Sequence, residues 1–83
     1  MVHRSTEAAI AHEIVGHYEA WLNGFDLNEK PLEEAQASIR AARFAEGLSK
    51  NDRYLLIRDG LDRLKNAGIP LTEARKKMRI ERR

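Results

Sequence analysis

The sequence predicts an all-α fold, a small bundle of three to four helices, and three observations predict it. Apolar residues recur at three- and four-residue spacing in each longer segment. Gly, Pro and Ser/Thr fall where helices stop and start. No segment sustains the two-residue alternation of a strand, and there is neither an internal repeat nor a low-complexity stretch. With 83 residues the chain has room for one domain, 1–83; such a domain buries roughly 60% of the surface its unfolded chain exposes, so its stability margin is thin.

The first helix is expected to begin after Ser5 or Thr6, either of which can cap free backbone N–H groups, with Glu7 complementing the positive end of the helix dipole. It should run to about Leu22 and stop at Asn23-Gly24. Ile10, Ile14, His17 and Trp21 lie at helical spacing, and Ala11, Val15, Tyr18 and Leu22 form the adjacent stripe; together they predict a broad buried face in which Tyr18 and Trp21 pack into the core. After a loop from Phe25 to Lys30, Pro31 suits the first position of a second helix, where its fixed φ and missing N–H cost nothing. That helix should end near Phe44 or Ala45. Leu32, Ala35, Ile39 and Ala42 form its narrow apolar stripe, and the small residues Ala37, Ser38 and Ala41 permit close antiparallel docking onto the first helix.

Ser49 with Asp52 three residues on resembles a capping box with Asp in place of Glu, and it opens a third helix carrying Tyr54, Leu56, Ile57, Leu61 and Leu64. Gly68 stops it. After Ile69-Pro70, Leu71 and Thr72 are expected to staple and cap a short fourth helix whose apolar side is Ala74 and Met78.

Composition narrows the function classes. Apolar residues make up 42% and charged residues 34% of the chain, a balance typical of a folded globular protein. The uncharged stretches are far shorter than the run of about 20 residues a spanning helix needs, and the N-terminus lacks the apolar region of a signal peptide, so no membrane association or export signal is expected. The absence of cysteine excludes disulfides and thiolate metal sites; any metal must sit on histidine and carboxylate. The formal charge of +2 is uneven: residues 1–66 carry 9 basic and 11 acidic side chains, residues 67–83 carry 6 and 2. Lys76, Lys77, Arg79, Arg82 and Arg83 give the basic tail, about 75–83, a means of touching nucleic acid or an acidic partner. No recognition-helix signature accompanies it, so nucleic acid is a disfavoured partner. A fold this small can also form a homodimer to bury leftover apolar surface.

The chemically pointed segment is HEIVGH, residues 12–17. Two histidines flanking a glutamate on one helix is the arrangement zinc hydrolases use: the imidazoles hold the ion, and the carboxylate takes a proton from the water bound to it. The residues are His12, Glu13 and His17. On a regular helix, side chains four residues apart lie about 40° from each other, whereas five residues apart they lie about 140° from each other and cannot share one ion. A π-bulge removes the conflict, because an i→i+5 pair then lies about one turn apart. Gly16, which otherwise costs a helix about 1 kcal/mol against alanine, is where such a distortion is tolerated. His3 is a terminal residue that can serve at most as an incidental ligand.

HEIVGH resembles the HExxGH variant of the gluzincin motif carried by the dipeptidyl-peptidase III family of zinc peptidases, and Glu33-Glu34-Ala35-Gln36-Ala37 is similar to that family's EECRA-type sequence. The resemblance implies that His12 and His17 are metal ligands, Glu13 is the general base and Glu34 is the third ligand, with Glu33 the alternative. The 17 positions from His17 to Glu34 fall well short of that family's separation and are close to that of the shorter gluzincins; the family's substrate-aligning strand has no counterpart. A second resemblance covers most of the chain. HEIVGHYEA, EEAQASIRAARFAEGLS and the leucine-rich helix look like the C-terminal end of toxin domains in large secreted bacterial proteins of the Rhs and related polymorphic-toxin type.

The expectation is therefore a zinc-dependent hydrolase domain, peptidase-like, acting on a peptide or protein substrate. As a bacterial toxin effector domain or a truncated relative of one, it would have an immunity or partner protein. The rival expectation is a small helical interaction module that binds an acidic protein or nucleic acid through its basic C-terminus. Tyr54 is read as core, with a role as an oxyanion donor as the alternative.

Overall fold

The computed structural model describes residues 6–22, 24, 30–78 and 80. Four helices appear among them and no strand does. Helix α1 is continuous but changes winding: Thr6–Ala11 is α-helical, His12–Tyr18 is a π-helix, and Glu19–Leu22 is α-helical again. Helix α2 spans Lys30–Phe44, α3 Lys50–Asn66 and α4 Leu71–Met78. Ser5, Asn23, the segment 25–29 and the tail residues Arg79, Arg82 and Arg83 lie outside the described residues, as does His3.

Local chemistry accounts for the boundaries. The Ser49 hydroxyl accepts the Asp52 backbone N–H at 3.0 Å, the capping-box half that the sequence predicts for α3. At the other end Gly68, at φ 70°, adopts the left-handed conformation; its N–H donates to the Lys65 carbonyl at 3.1 Å, and that of Ile69 donates to the Leu64 carbonyl at 2.9 Å. This is a Schellman closure, and Ile69 completes it by packing on the cluster that contains Leu64. The last turn of α2 is satisfied by a side chain: Arg53 donates from Nη1 to the Ala42 carbonyl at 2.7 Å and from Nη2 to the Ala45 carbonyl at 2.6 Å. Helix α4 starts two residues before a Thr72 cap would place it, because the Pro70 carbonyl already accepts the Ala74 N–H at 2.9 Å.

Helix α2 is the central element, antiparallel to both α1 and α3. One apolar cluster joins Ala8 and Ala11 of α1 to Ala41, Ala42, Ala45 and Leu56, with Val15 and Leu48 against it. The other joins Leu32 and Ala35 to Leu64, Ala74 and Met78, with Ile39, Ile69 and Ile80 against it, and there Gln36 donates to the Met78 carbonyl. Arg40 is fully buried. Its Nε donates to the Val15 carbonyl at 3.4 Å, its Nη2 lies 3.7 Å from Glu19, and its guanidinium sits 5.3 Å from the centre of the Phe44 ring.

The buried face of α1 differs from the one the apolar pattern predicts. Ala8, Ala11, His12, Gly16 and Ala20 face inward, whereas Ile10, Ile14, Tyr18, Trp21 and Leu22 are all more than half exposed, Trp21 at 62%. The reason is distance. Helix α2 offers α1 a face of Ala37, Ser38 and Ala41, all wholly buried, and a Cβ added to Gly16 would lie 2.7 Å from the Ala37 Cα and carbonyl carbon. Helices this close admit only small side chains and flat rings, so the large residues are displaced to the flanks. Tyr54, Ile57 and Leu61 of α3 are likewise exposed. The Tyr54 hydroxyl accepts from Arg58 Nη1 at 3.1 Å, and tyrosine 54 is neither core nor part of the cluster below.

Candidate metal centre

The π-helix is what brings the two histidines together. The Glu19 backbone N–H bonds to the Ile14 carbonyl, five residues back, and the wider turn aligns His12 with His17. Their ring centres lie 4.7 Å apart with the planes at 81°. Gly16 allows this segment to rest directly on the α2 backbone at Ala37, which sets both imidazoles above the first turns of α2.

Glu34 meets them there. One carboxylate oxygen is 3.1 Å from His12 Nε2 and the other 3.1 Å from His17 Nε2. Glu33, next on the helix and turned about 100° away, is not the carboxylate that meets them. Glu13 places its carboxylate 4.0 Å from His12 Nε2 and is 72% exposed, so it borders the open side of the cluster. Ligand atoms of His12, Glu13 and His17 all lie within 4.8 Å of one another. A tetrahedral ion with bonds of about 2.05 Å separates its ligand atoms by about 3.3 Å; each imidazole stands near that spacing from its own Glu34 oxygen, Oε1 for His12 and Oε2 for His17.

Behind His12 runs a chain of side chains that sequence reading missed. His12 Nδ1 is 2.9 Å from the Ser38 hydroxyl, which donates to Asp59 at 2.5 Å, and the same Asp59 oxygen accepts from Arg63 Nε at 2.9 Å. An ionised carboxylate only accepts, so the single Ser38 proton goes to Asp59 and the Ser38 oxygen accepts from His12 Nδ1–H. This fixes the tautomer. In neutral His12 the Nε2 atom then carries a lone pair and turns it toward the Glu34 carboxylate, and two acceptors at 3.1 Å repel unless a proton or a cation lies between them. The available signal for Ser38 was its position one turn after Glu34, on the same face of α2. Asp59 and Arg63 follow at the same interval on the antiparallel α3.

The electrostatics favour an ionised Glu34. Burial acts to raise its pKa, but the charge of His17, the hydrogen bond with His12 and the charges of His12 and Arg63 outweigh it and hold the carboxyl below its ordinary value. Lys30 Nζ stands 3.6 Å from one Glu34 oxygen and Arg63 Nη1 4.0 Å from the other. Beyond Glu34 a cleft of about 600 Å³ opens between the start of α2 and the end of α3, lined by Lys30, Pro31, Glu34, Arg63, Asn66 and Ala67.

Set against protein-family models, curated proteins and solved structures, the chain matches none of them. No described helix is long and apolar enough to cross a membrane.

Proposed function

We propose that the chain binds zinc through His12, His17 and Glu34 and acts as a zinc-dependent hydrolase on peptide-like bonds, with Glu13 as the general base. The observation that carries this reading is the convergence of acceptors. The Ser38–Asp59 chain keeps the His12 proton on Nδ1, which turns the Nε2 lone pair toward Glu34 Oε1, while the other Glu34 oxygen faces His17 Nε2. Two imidazoles and one carboxylate are the ligand set of a catalytic rather than a closed structural zinc site, since three protein ligands leave a fourth position open. Zinc bound there would polarise both a water molecule and the carbonyl to be cleaved.

The chain's own groups supply the rest. Glu13 is solvent-accessible and 4.0 Å from one ligand atom, within reach of the proton of a water on the open side. Ser38 and Asp59 hold the His12 ring in place while the ion is loaded, and Asp59 is itself anchored by Arg63.

Metal analysis of the purified chain, with melting curves before and after chelation, tests the reading. The parent should hold one equivalent of zinc and melt lower once it is removed; His12→Ala/His17→Ala and Glu34→Ala should hold none. Glu13→Gln should keep the metal and lose peptide hydrolysis. A parent that takes up no zinc and ignores the chelator removes the hydrolase assignment, and a Glu13→Gln enzyme that works at the parent's rate removes the assigned base.

A further inference from the structure

The cleft beside Glu34 holds two cations whose outer donors the zinc reading does not use: the Lys30 ammonium and the terminal nitrogens of Arg63. Lys30 and Arg63 stand on either side of Glu34, at 3.6 and 4.0 Å from its oxygens, both beyond hydrogen-bond distance. Arg63 is held by the bond from its Nε to Asp59 at 2.9 Å, lines the cleft, and carries its Nη1 4.0 Å from Glu34. The Asn66 side chain belongs to the same wall, and Pro31 and Ala67 give it an apolar part. At about 600 Å³ the cleft falls within the range of about 300–1,000 Å³ that small-molecule sites occupy.

Metal loading would change the sign of the charge summed over the cluster and the two cations beside it. Glu13, Glu34 and Asp59 against Lys30 and Arg63 leave one negative charge when the histidines are neutral; a divalent ion turns that into one positive charge. The ion also draws on the Glu34 oxygens that Lys30 and Arg63 otherwise face. The loaded site is then an anion receptor immediately next to the ligands, with a guanidinium and an ammonium placed to hold one group between them.

We infer that the cleft receives the terminal carboxylate of a peptide-like substrate, so that the bond presented to the metal centre is the one at the C-terminal end of the chain. This inference rests on the zinc reading above. Lys30 and Arg63 are specificity-determining residues in it: they bind the substrate's charge and take no part in the proton transfer assigned to Glu13.

Calorimetric titration of the zinc-loaded full chain with N-acetylalanine and with N-acetylalanine amide, which differ only in that charge, decides the matter. The acid should bind at least about tenfold more tightly than the amide. Lys30→Gln should weaken the acid toward the amide while retaining one equivalent of zinc, because it leaves the Arg63–Asp59–Ser38 chain intact. Equal binding of acid and amide, no binding of the acid, or a Lys30→Gln protein that binds the acid like the parent with zinc in place would overturn the inference and leave the metal site standing. A parent without zinc fails earlier, at the reading on which the inference depends.

Discussion

Replacing Gly16 with alanine perturbs the contact on which both the packing of α1 and the approach of His12 and His17 to Glu34 depend. The new Cβ would lie 2.7 Å from the Ala37 Cα and carbonyl carbon, where carbon atoms in ordinary contact stand about 3.5–4.0 Å apart. Backbone on both sides leaves no flexible side chain to yield, so α1 and α2 must separate locally by about 1 Å. Overpacking of this kind costs about 1–3 kcal/mol, and the better helix propensity of alanine offsets about 1 kcal/mol of it. The net loss, about 0–2 kcal/mol, lowers the melting temperature by about 4–8 °C for each kcal/mol in a domain of this size.

On the proposed zinc site the effect would be larger, because no propensity term offsets it. His12 and His17 come from α1 and Glu34 from α2, each pair at 3.1 Å, and a retreat of about 1 Å exceeds the roughly 0.5 Å tolerance of a working site. Zinc affinity should fall at least about tenfold, or about 1.4 kcal/mol. Melting of the chelated protein and a competitive zinc titration measure the two consequences separately. A Gly16→Ala protein that melts higher than the parent, as propensity alone requires, and binds zinc as tightly would refute the close-contact argument.

Three further outcomes follow from the same structure. Ser38→Ala removes the hydroxyl between His12 and Asp59 from a wholly buried position, so stability should drop by about 1–3 kcal/mol and zinc affinity by about 10–100-fold; unchanged affinity would show that the tautomer is not fixed from this side. Trp21→Gln should alter stability by no more than about 0.5 kcal/mol, since the indole is 62% exposed; a loss above about 2 kcal/mol in denaturant unfolding would restore the buried face that the apolar pattern suggests. In metal-free protein Glu34 has a folded pKa below its unfolded one, so its stabilisation is present above the unfolded pKa and lost as pH falls through the folded pKa; acid titration of Glu34→Gln should lack that part of the transition, and an acid limb identical to the parent's would contradict it.

Helix existence, the Ser49 cap, the Gly68 stop and the apolar side of α4 were legible because each rests on a local rule that needs no knowledge of the partner element. The π-helix was legible for a different reason. On a regular helix histidines five apart cannot face one point, whereas a π segment at the intervening glycine brings them within one turn of each other. What failed was the ranking of faces by hydrophobicity. The stripe of Ile10, Ile14 and Trp21 looks like the core face, yet the close approach of α2 selects by size, and Ala8, Gly16 and Ala20 win. Ser38 was read only as a small residue; its role as a bridge depends on Asp59, 21 residues further on, and pairings across helices are invisible to periodicity.

The same selection by size explains why site and stability are coupled here. The cluster holding α1 consists largely of alanine, with Leu56 as its one wholly buried large apolar side chain, so it buries little area per residue and hydrophobic burial alone holds α1 weakly. Polar contacts make up the difference: Arg40 grips the Val15 carbonyl and faces Glu19, and Glu34 and Ser38 engage His12 and His17. Most of these contacts converge on the π segment. A ligand that binds only when α1 and α2 are docked adds RT ln(1 + [L]/Kd) to stability, about 4 kcal/mol at a thousandfold excess over Kd, a large fraction of what a domain of this size possesses. Zinc between α1 and α2 would therefore act on folding where the apolar core is thinnest, and the close packing that excludes Trp21 from the interior is the same packing that sets Glu34 3.1 Å from His12 and His17.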